Sequence, residues 1–138
     1  MGGGTGASLI KGWASIPESY VTQVPVITLD RILGNTLESQ RALILVDVEG
    51  AEYMLLQGST ATLGNQPRPI WIVEISATEH QPAGTIINPY FSATFDMFFD
   101  HGYRAFTVDE SSQPISRDLV NQVQTGKKQL TGHNFLFC

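Results

Sequence analysis

The sequence predicts an α/β fold: part of a doubly wound sheet, mostly parallel, with an antiparallel C-terminal strand. Three observations carry this. Ala42-Leu43-Ile44-Leu45-Val46 and Ile70-Trp71-Ile72-Val73 are continuous apolar runs of strand length, as expected of strands buried on both faces. A helical pattern from Ala51 to Leu63 separates them, and strand, helix, strand in that order implies a right-handed parallel crossover. Both runs end in carboxylates, Asp47 and Glu49 on the first and Glu74 on the second. Ligands of parallel sheets bind beyond the carboxyl ends of the strands, so this edge is the candidate site.

A chain of 138 residues suits one domain with a core of its own. Its 42% hydrophobic and 15% charged content belongs to a folded protein rather than a disordered one. The formal charge of −5 offers no basic footprint, which argues against nucleic acid as a partner. No apolar run reaches the ~20 residues of a spanning helix, and no basic segment precedes an apolar one at the N-terminus. Cys138 stands alone and cannot close an internal disulfide, so a reducing compartment and a cytoplasmic location are expected.

Taken in order, residues 1–20 read as a Gly-rich leader and an irregular segment, and 21–138 as a single α/β domain. Gly2 to Gly6 resembles a phosphate loop only superficially, since no strand precedes it and no Gly-Lys-Ser/Thr follows. Trp13 and Ile16 are candidate packing anchors. Val21 to Ile27 contains Pro25 and fits an edge strand or an extended arm. Thr28 to Gly34 has a short helix's marks: a Thr28 cap, Asp30 at the positive end of the dipole, and Gly34 to close.

The helix from Ala51 places Met54, Leu55, Gly58, Ala61 and Thr62 on one face, with Gly58 suggesting close approach to the sheet. Ser76 to Asn88 is a long polar excursion from the candidate edge, a lid or a plain surface loop. Thr94 to His101 is an amphipathic helix with Phe95, Phe98 and Phe99 inward, ended by Gly102 and capped by His101. Tyr103 to Val108 alternates like a strand. Ser111 to Thr131 is polar and weakly patterned, and His133 to Cys138 is a last strand.

Residues two apart in a strand share a side, so Asp47 and Glu49 point into one space, and the crossover brings Glu74 to the same edge. Such carboxylates suit a base, a hydrogen-bond acceptor for a substrate hydroxyl, or oxygen ligands for magnesium. Glu49 and Glu52 equally suit the N-terminus of the following helix. A glycosidase acid pair is disfavoured, because the barrels that present one run to about 250 residues. His80, His101 and His133 are scattered without zinc-ligand spacing.

Asp47-Val48-Glu49-Gly50-Ala51-Glu52, followed by Leu55-Leu56-Gln57-Gly58, resembles the signature of the FkbM family of S-adenosylmethionine-dependent methyltransferases. Thr28-Leu29-Asp30, the stretch from Pro69 to Glu74, and Gly102-Tyr103 follow in the family's order, over roughly Val24 to Phe137. The resemblance implies a Rossmann-like methyltransferase sheet of order 3-2-1-4-5-7-6. Ala42–Val48 would be strand four, Ile70–Ile75 strand five, Tyr103–Val108 strand six and Asn134–Phe137 strand seven.

It further implies O-methyl transfer from S-adenosylmethionine, with Asp47, Glu49 and Glu74 as catalytic candidates. The family's strand-one loop, Asp-x-Gly-Ala-Asn-x-Gly, and its ribose-binding acid have no counterpart in this sequence. The expectation is therefore the C-terminal half of a methyltransferase, inactive alone or completed by another chain, with its cofactor-binding residues unknown. Strand four would then have a bare edge. It is expected to pair with the Val21–Ile27 arm or with a second copy, as a homodimer that serves as an association module.

Overall fold

The computed structural model describes residues 7–138. The glycines expected to form a leader, Gly2 to Gly6, lie outside the described residues. Two 3₁₀ turns, Trp13–Ser15 and Glu18–Tyr20, lead to α1 (Leu29–Leu33), β1 (Leu43–Val46), α2 (Glu52–Gln57) and α3 (Thr60–Leu63). Then come β2 (Ile70–Glu74), α4 (Phe91–Asp100), β3 (Ala105–Thr107), β4 (Pro114–Ile115), α5 (Arg117–Gln124) and β5 (Asn134–Phe137). No helix among the described residues is long and apolar enough to cross a membrane.

The five strands form one sheet in the order β1-β2-β5-β3-β4. The expected crossover is present: β1 and β2 are parallel, with Leu43 level with Ile70 and Val46 with Val73. The rest of the sheet departs from the mostly parallel expectation. β5 lies antiparallel to both β2 and β3, and β3 to β4, so only one neighbouring pair is parallel. The physical reason is the insertion of β5. β2 and β3 point the same way, and a strand from the C-terminus runs backwards between them.

Alternation along the strands sorts the sheet into two unlike faces. Val46, Trp71, Val73, Ala105, Phe135 and Phe137 are buried on one face. On the other, Leu43, Leu45 and Ile70 are 66%, 74% and 44% exposed. The expectation of strands buried on both faces thus holds for one face only. An apolar run reports what a strand can bury, not whether the described residues supply a cover.

The covered face is an aromatic core. Phe98 of α4 stacks on Phe137 with ring centroids 3.8 Å apart, and Phe95 meets Phe135 edge-on at 4.9 Å. Trp71 Nε1 donates to the Tyr103 hydroxyl at 3.2 Å, which donates in turn to the Leu63 carbonyl, so both buried polar tips are satisfied. Phe95 and Phe98 are buried as their spacing predicts while Phe99 is only partly buried, and Phe91 and Thr94 extend the stripe one turn earlier. His101 closes α4, its Nδ1 2.7 Å from the Met97 carbonyl.

Three local expectations change. The single helix from Ala51 breaks at Gly58-Ser59, where the Ser59 hydroxyl donates to the Leu55 carbonyl. Its buried side carries Leu56, Ser59, Thr62 and Leu63, while Met54 is 43% exposed. Gly58 faces Thr28, not the sheet: a Cβ there would lie 3.0 Å from the Thr28 side chain. Asp30 stands in the first turn of α1 as expected, but its side-chain hydrogen bonds go elsewhere. Its carboxylate reaches α3, accepting from the amides of Ala61 and Thr62 and from the Thr62 hydroxyl. Burial opposes its charge, but these bonds and one from Thr60 prevail and lower its pKa.

Val21 to Ile27 forms no strand, and Val21, Val24, Val26 and Ile27 are all more than half exposed. Pro25 lacks the donor that pairing would use. β1 is therefore an open edge among the described residues. The segment read as weakly patterned holds β4 and α5, the latter capped by the Ser116 hydroxyl and tied to α4 by Arg117, which bonds Asp96 and Asp100. Phe95→Ala is expected to cost about 3–5 kcal/mol in urea unfolding, whereas the exposed Leu45→Ser should cost less than about 0.5 kcal/mol.

Candidate functional site

Asp47 and Glu74 follow and end two strands in matched register. Val46 is level with Val73, so one residue further Asp47 stands beside Glu74. Asp47 is exposed and Glu74 half-buried. Glu74 has a raised pKa, from partial burial first and then the negative charge of Asp47, with Glu49 and Glu79 adding to it and His133 opposing. The strand tips thus gather like charge where some of it is inexpensive to neutralise.

Glu49 has a different setting. The chain turns through Glu49 at φ 52° and Gly50 at φ 92°, left-handed conformations that glycine adopts freely and glutamate does not. Trp13 holds this turn. Its indole N–H donates to Glu49 Oε2 at 2.9 Å, and its ring lies so close to Gly50 that a Cβ would fall 2.5 Å from a ring carbon. Ser8 donates its hydroxyl to the Glu49 carbonyl, and the Ala14 amide donates to the His80 carbonyl. Trp13 is 4% exposed, a true anchor, while Ile16 at 36% is not.

Glu52 closes the turn from the other side. It is 3% exposed, and its Oε1 accepts the Gly50 amide at 2.9 Å. Burial raises its pKa; the backbone amides of Glu52 and Gly50 work against that rise, and the charges of Glu74 and Asp47 add to it. Of the three sequence-predicted acids, then, Asp47 and Glu74 are adjacent at the sheet edge. Glu49 lies in the same field but has its carboxylate engaged by Trp13.

Sequence reasoning missed His133, which precedes β5. Its backbone carbonyl accepts the Ile75 amide at 2.6 Å, fixing it across from the end of β2. Its Nδ1 is 3.1 Å from Glu79 Oε2, and its Nε2 is 4.0 Å from Glu74 Oε1. No spacing in the chain announces this, because the three residues meet only through antiparallel pairing of β5 with β2. The excursion after β2 is tied back at Asn88, whose side-chain amide donates to the Ser76 carbonyl and whose backbone amide donates to the Ala77 carbonyl.

S-adenosylmethionine needs an enclosed site of roughly 300–1,000 Å³ with converging polar groups. The larger hollow, about 320 Å³, lies open on the uncovered sheet face between Ile72, Leu136, Thr107, Val108, Asp109 and Ser112. A second, about 60 Å³, lies beside Glu79, Phe91 and His133. Neither contains the carboxylate pair or a glycine-rich turn after a strand. Neither hollow therefore fits the whole of that cofactor. Among them, no group of three or more His, Cys, Asp or Glu side chains is placed to hold a metal ion.

The fold is a mixed α/β sheet with one parallel crossover, and Asp47 and Glu74 stand side by side at its strand tips. Residues 4–105 match the methyltransferase FkbM domain, about three quarters of the chain. The chain belongs to that family. No curated protein and no solved structure matches it significantly.

The raised pKa of Glu52 sets a pH dependence with a definite sign. A carboxyl that holds its proton more tightly when folded favours the native state fully below about pH 4.5 and progressively loses that contribution as pH rises through its folded value. In Glu52→Gln, whose amide oxygen can still accept from Gly50, unfolding midpoints should lose this downward slope. Urea titrations from pH 4 to 8 check it.

Proposed function

We propose that this chain supplies the acceptor side of an S-adenosylmethionine-dependent O-methyl transfer. The observation that carries this reading is the convergence of Asp47 and Glu74, inside the family match, at the carboxyl ends of two parallel strands. Acyl and phosphoryl chemistry would call for an activated nucleophile or an anion cradle, and the edge offers acceptors of hydrogen bonds instead. Asp47 and Glu74 hold a hydroxyl of a small-molecule acceptor, and with Glu49 they place negative charge where a cationic donor would approach. Glu49, restrained by Trp13, contributes to the field more than to contact.

The cofactor half is added by strands that extend the sheet past β1. Two features support this: the open edge of β1, and the uncovered apolar face on which Leu43, Leu45 and Ile70 stand. The same features favour a second reading, in which the edge pairs with a second copy of the chain and association is the function.

Two measurements separate the readings. Titration calorimetry of the isolated chain with S-adenosylmethionine should register no saturable heat, and one-to-one binding would overturn the need for a completing half. Analytical ultracentrifugation should find a monomer under the first reading. A concentration-dependent dimer that Leu45→Lys dissolves would replace it with the second.

A further inference from the structure

The acceptor-side reading leaves open which atom takes the proton of the hydroxyl, and the carboxylates are not the best placed to do so. His133 stands between two of them. Glu79 Oε2 lies 3.1 Å from Nδ1, at ion-pair distance, and Glu74 Oε1 lies 4.0 Å from Nε2. In the neutral ring one nitrogen carries the proton and the other a lone pair. An ionised carboxylate can only accept, and Glu79, the nearer of the two, favours hydrogen on Nδ1. Nε2 is left as a lone pair, with no hydrogen-bond partner closer than the carboxylate it faces.

We propose that His133 is the proton acceptor of this site, oriented by Glu79 and aimed by its Nε2 at the edge shared with Glu74 and Asp47. The step is simple in its balance. The acceptor O–H bond breaks, an Nε2–H bond forms, and the electron pair stays on the oxygen. The imidazolium that results stands between Glu79 and Glu74, where the charge it gains is matched on both sides. This is the division of labour of an orienting acid and a base, assembled here from β2, the segment after it and the residue before β5.

The surroundings agree with a working histidine rather than a filled core position. The ring is 42% exposed, so an acceptor can reach it. It borders the smaller hollow with Ala77, Thr78, Phe91, Leu130, Thr131 and Gly132. The charged groups facing it are Glu74 from β2 and Glu79 from the segment that follows, with Asp47 behind Glu74. α4 presents only Phe91 to the hollow.

The inference rests on the acceptor-side reading, but its test requires no methyl donor and no turnover. Long-range proton–nitrogen NMR of the full chain at pH 8, with His133 assigned by its loss in His133→Asn, should find the proton on Nδ1 and an unprotonated Nε2. Glu79→Gln should scramble the tautomer, so that the proton is no longer confined to Nδ1. Glu79 is 59% exposed, so this variant should remain folded. Diethyl pyrocarbonate should acylate His133 faster than His80 or His101, and several-fold more slowly in Glu79→Gln. A wild-type proton on Nε2, an unchanged tautomer in Glu79→Gln, or no preference for His133 would each overturn the proposal. Absent methyl transfer with these three results intact would instead count against the acceptor-side reading alone.

Discussion

β5 runs antiparallel between β2 and β3, and the register it holds with both ties the core to the carboxylate edge. Phe135 and Phe137 point to the covered face, where they meet Phe95 and Phe98 of α4. The residue before the strand, His133, is carried by the same pairing to the end of β2, its carbonyl bound by the Ile75 amide. One strand thus packs the protein and places His133 beside Glu74. A slip of one residue would turn the phenylalanines to the open face and withdraw the histidine from Glu74 together.

Charge is concentrated at that edge at a cost the fold bears locally. Asp47, Glu49, Glu52 and Glu74 repel one another, and each is answered by a different means. Glu52 is buried but bonded to the Gly50 amide, Glu49 takes the Trp13 indole, Glu74 has His133 nearby, and Asp47 stays in solvent. Trp13 matters because Glu49 and Gly50 sit in left-handed backbone conformations that local sequence alone would not hold. The N-terminal segment is in this sense part of the site's framework.

Much of the fold was legible because its signals are local. The apolar runs of β1 and β2, the glycine after the acids and the Phe95–Phe98 stripe each specify an element by period and composition. That Glu74 comes out at the same edge of the sheet as Asp47 followed from the parallel crossover. The remainder depended on distant meetings. Asp30 looked like the helper of α1, but its partners are 31 and 32 residues away. α5 hid in a polar stretch because only Val120 and Val123 are buried in it. His133 carried no motif, since its neighbours Glu74 and Glu79 arrive through strand pairing.

The central claim is that Asp47, Glu74 and His133 form one electrostatic unit at the sheet edge. Carboxyl-carbon NMR of Glu74 measures it directly, by following its titration in wild type, Asp47→Asn and His133→Asn. The account predicts that the Glu74 midpoint falls when the Asp47 charge is removed and rises when the histidine is removed. A midpoint that stays fixed in both variants would contradict it.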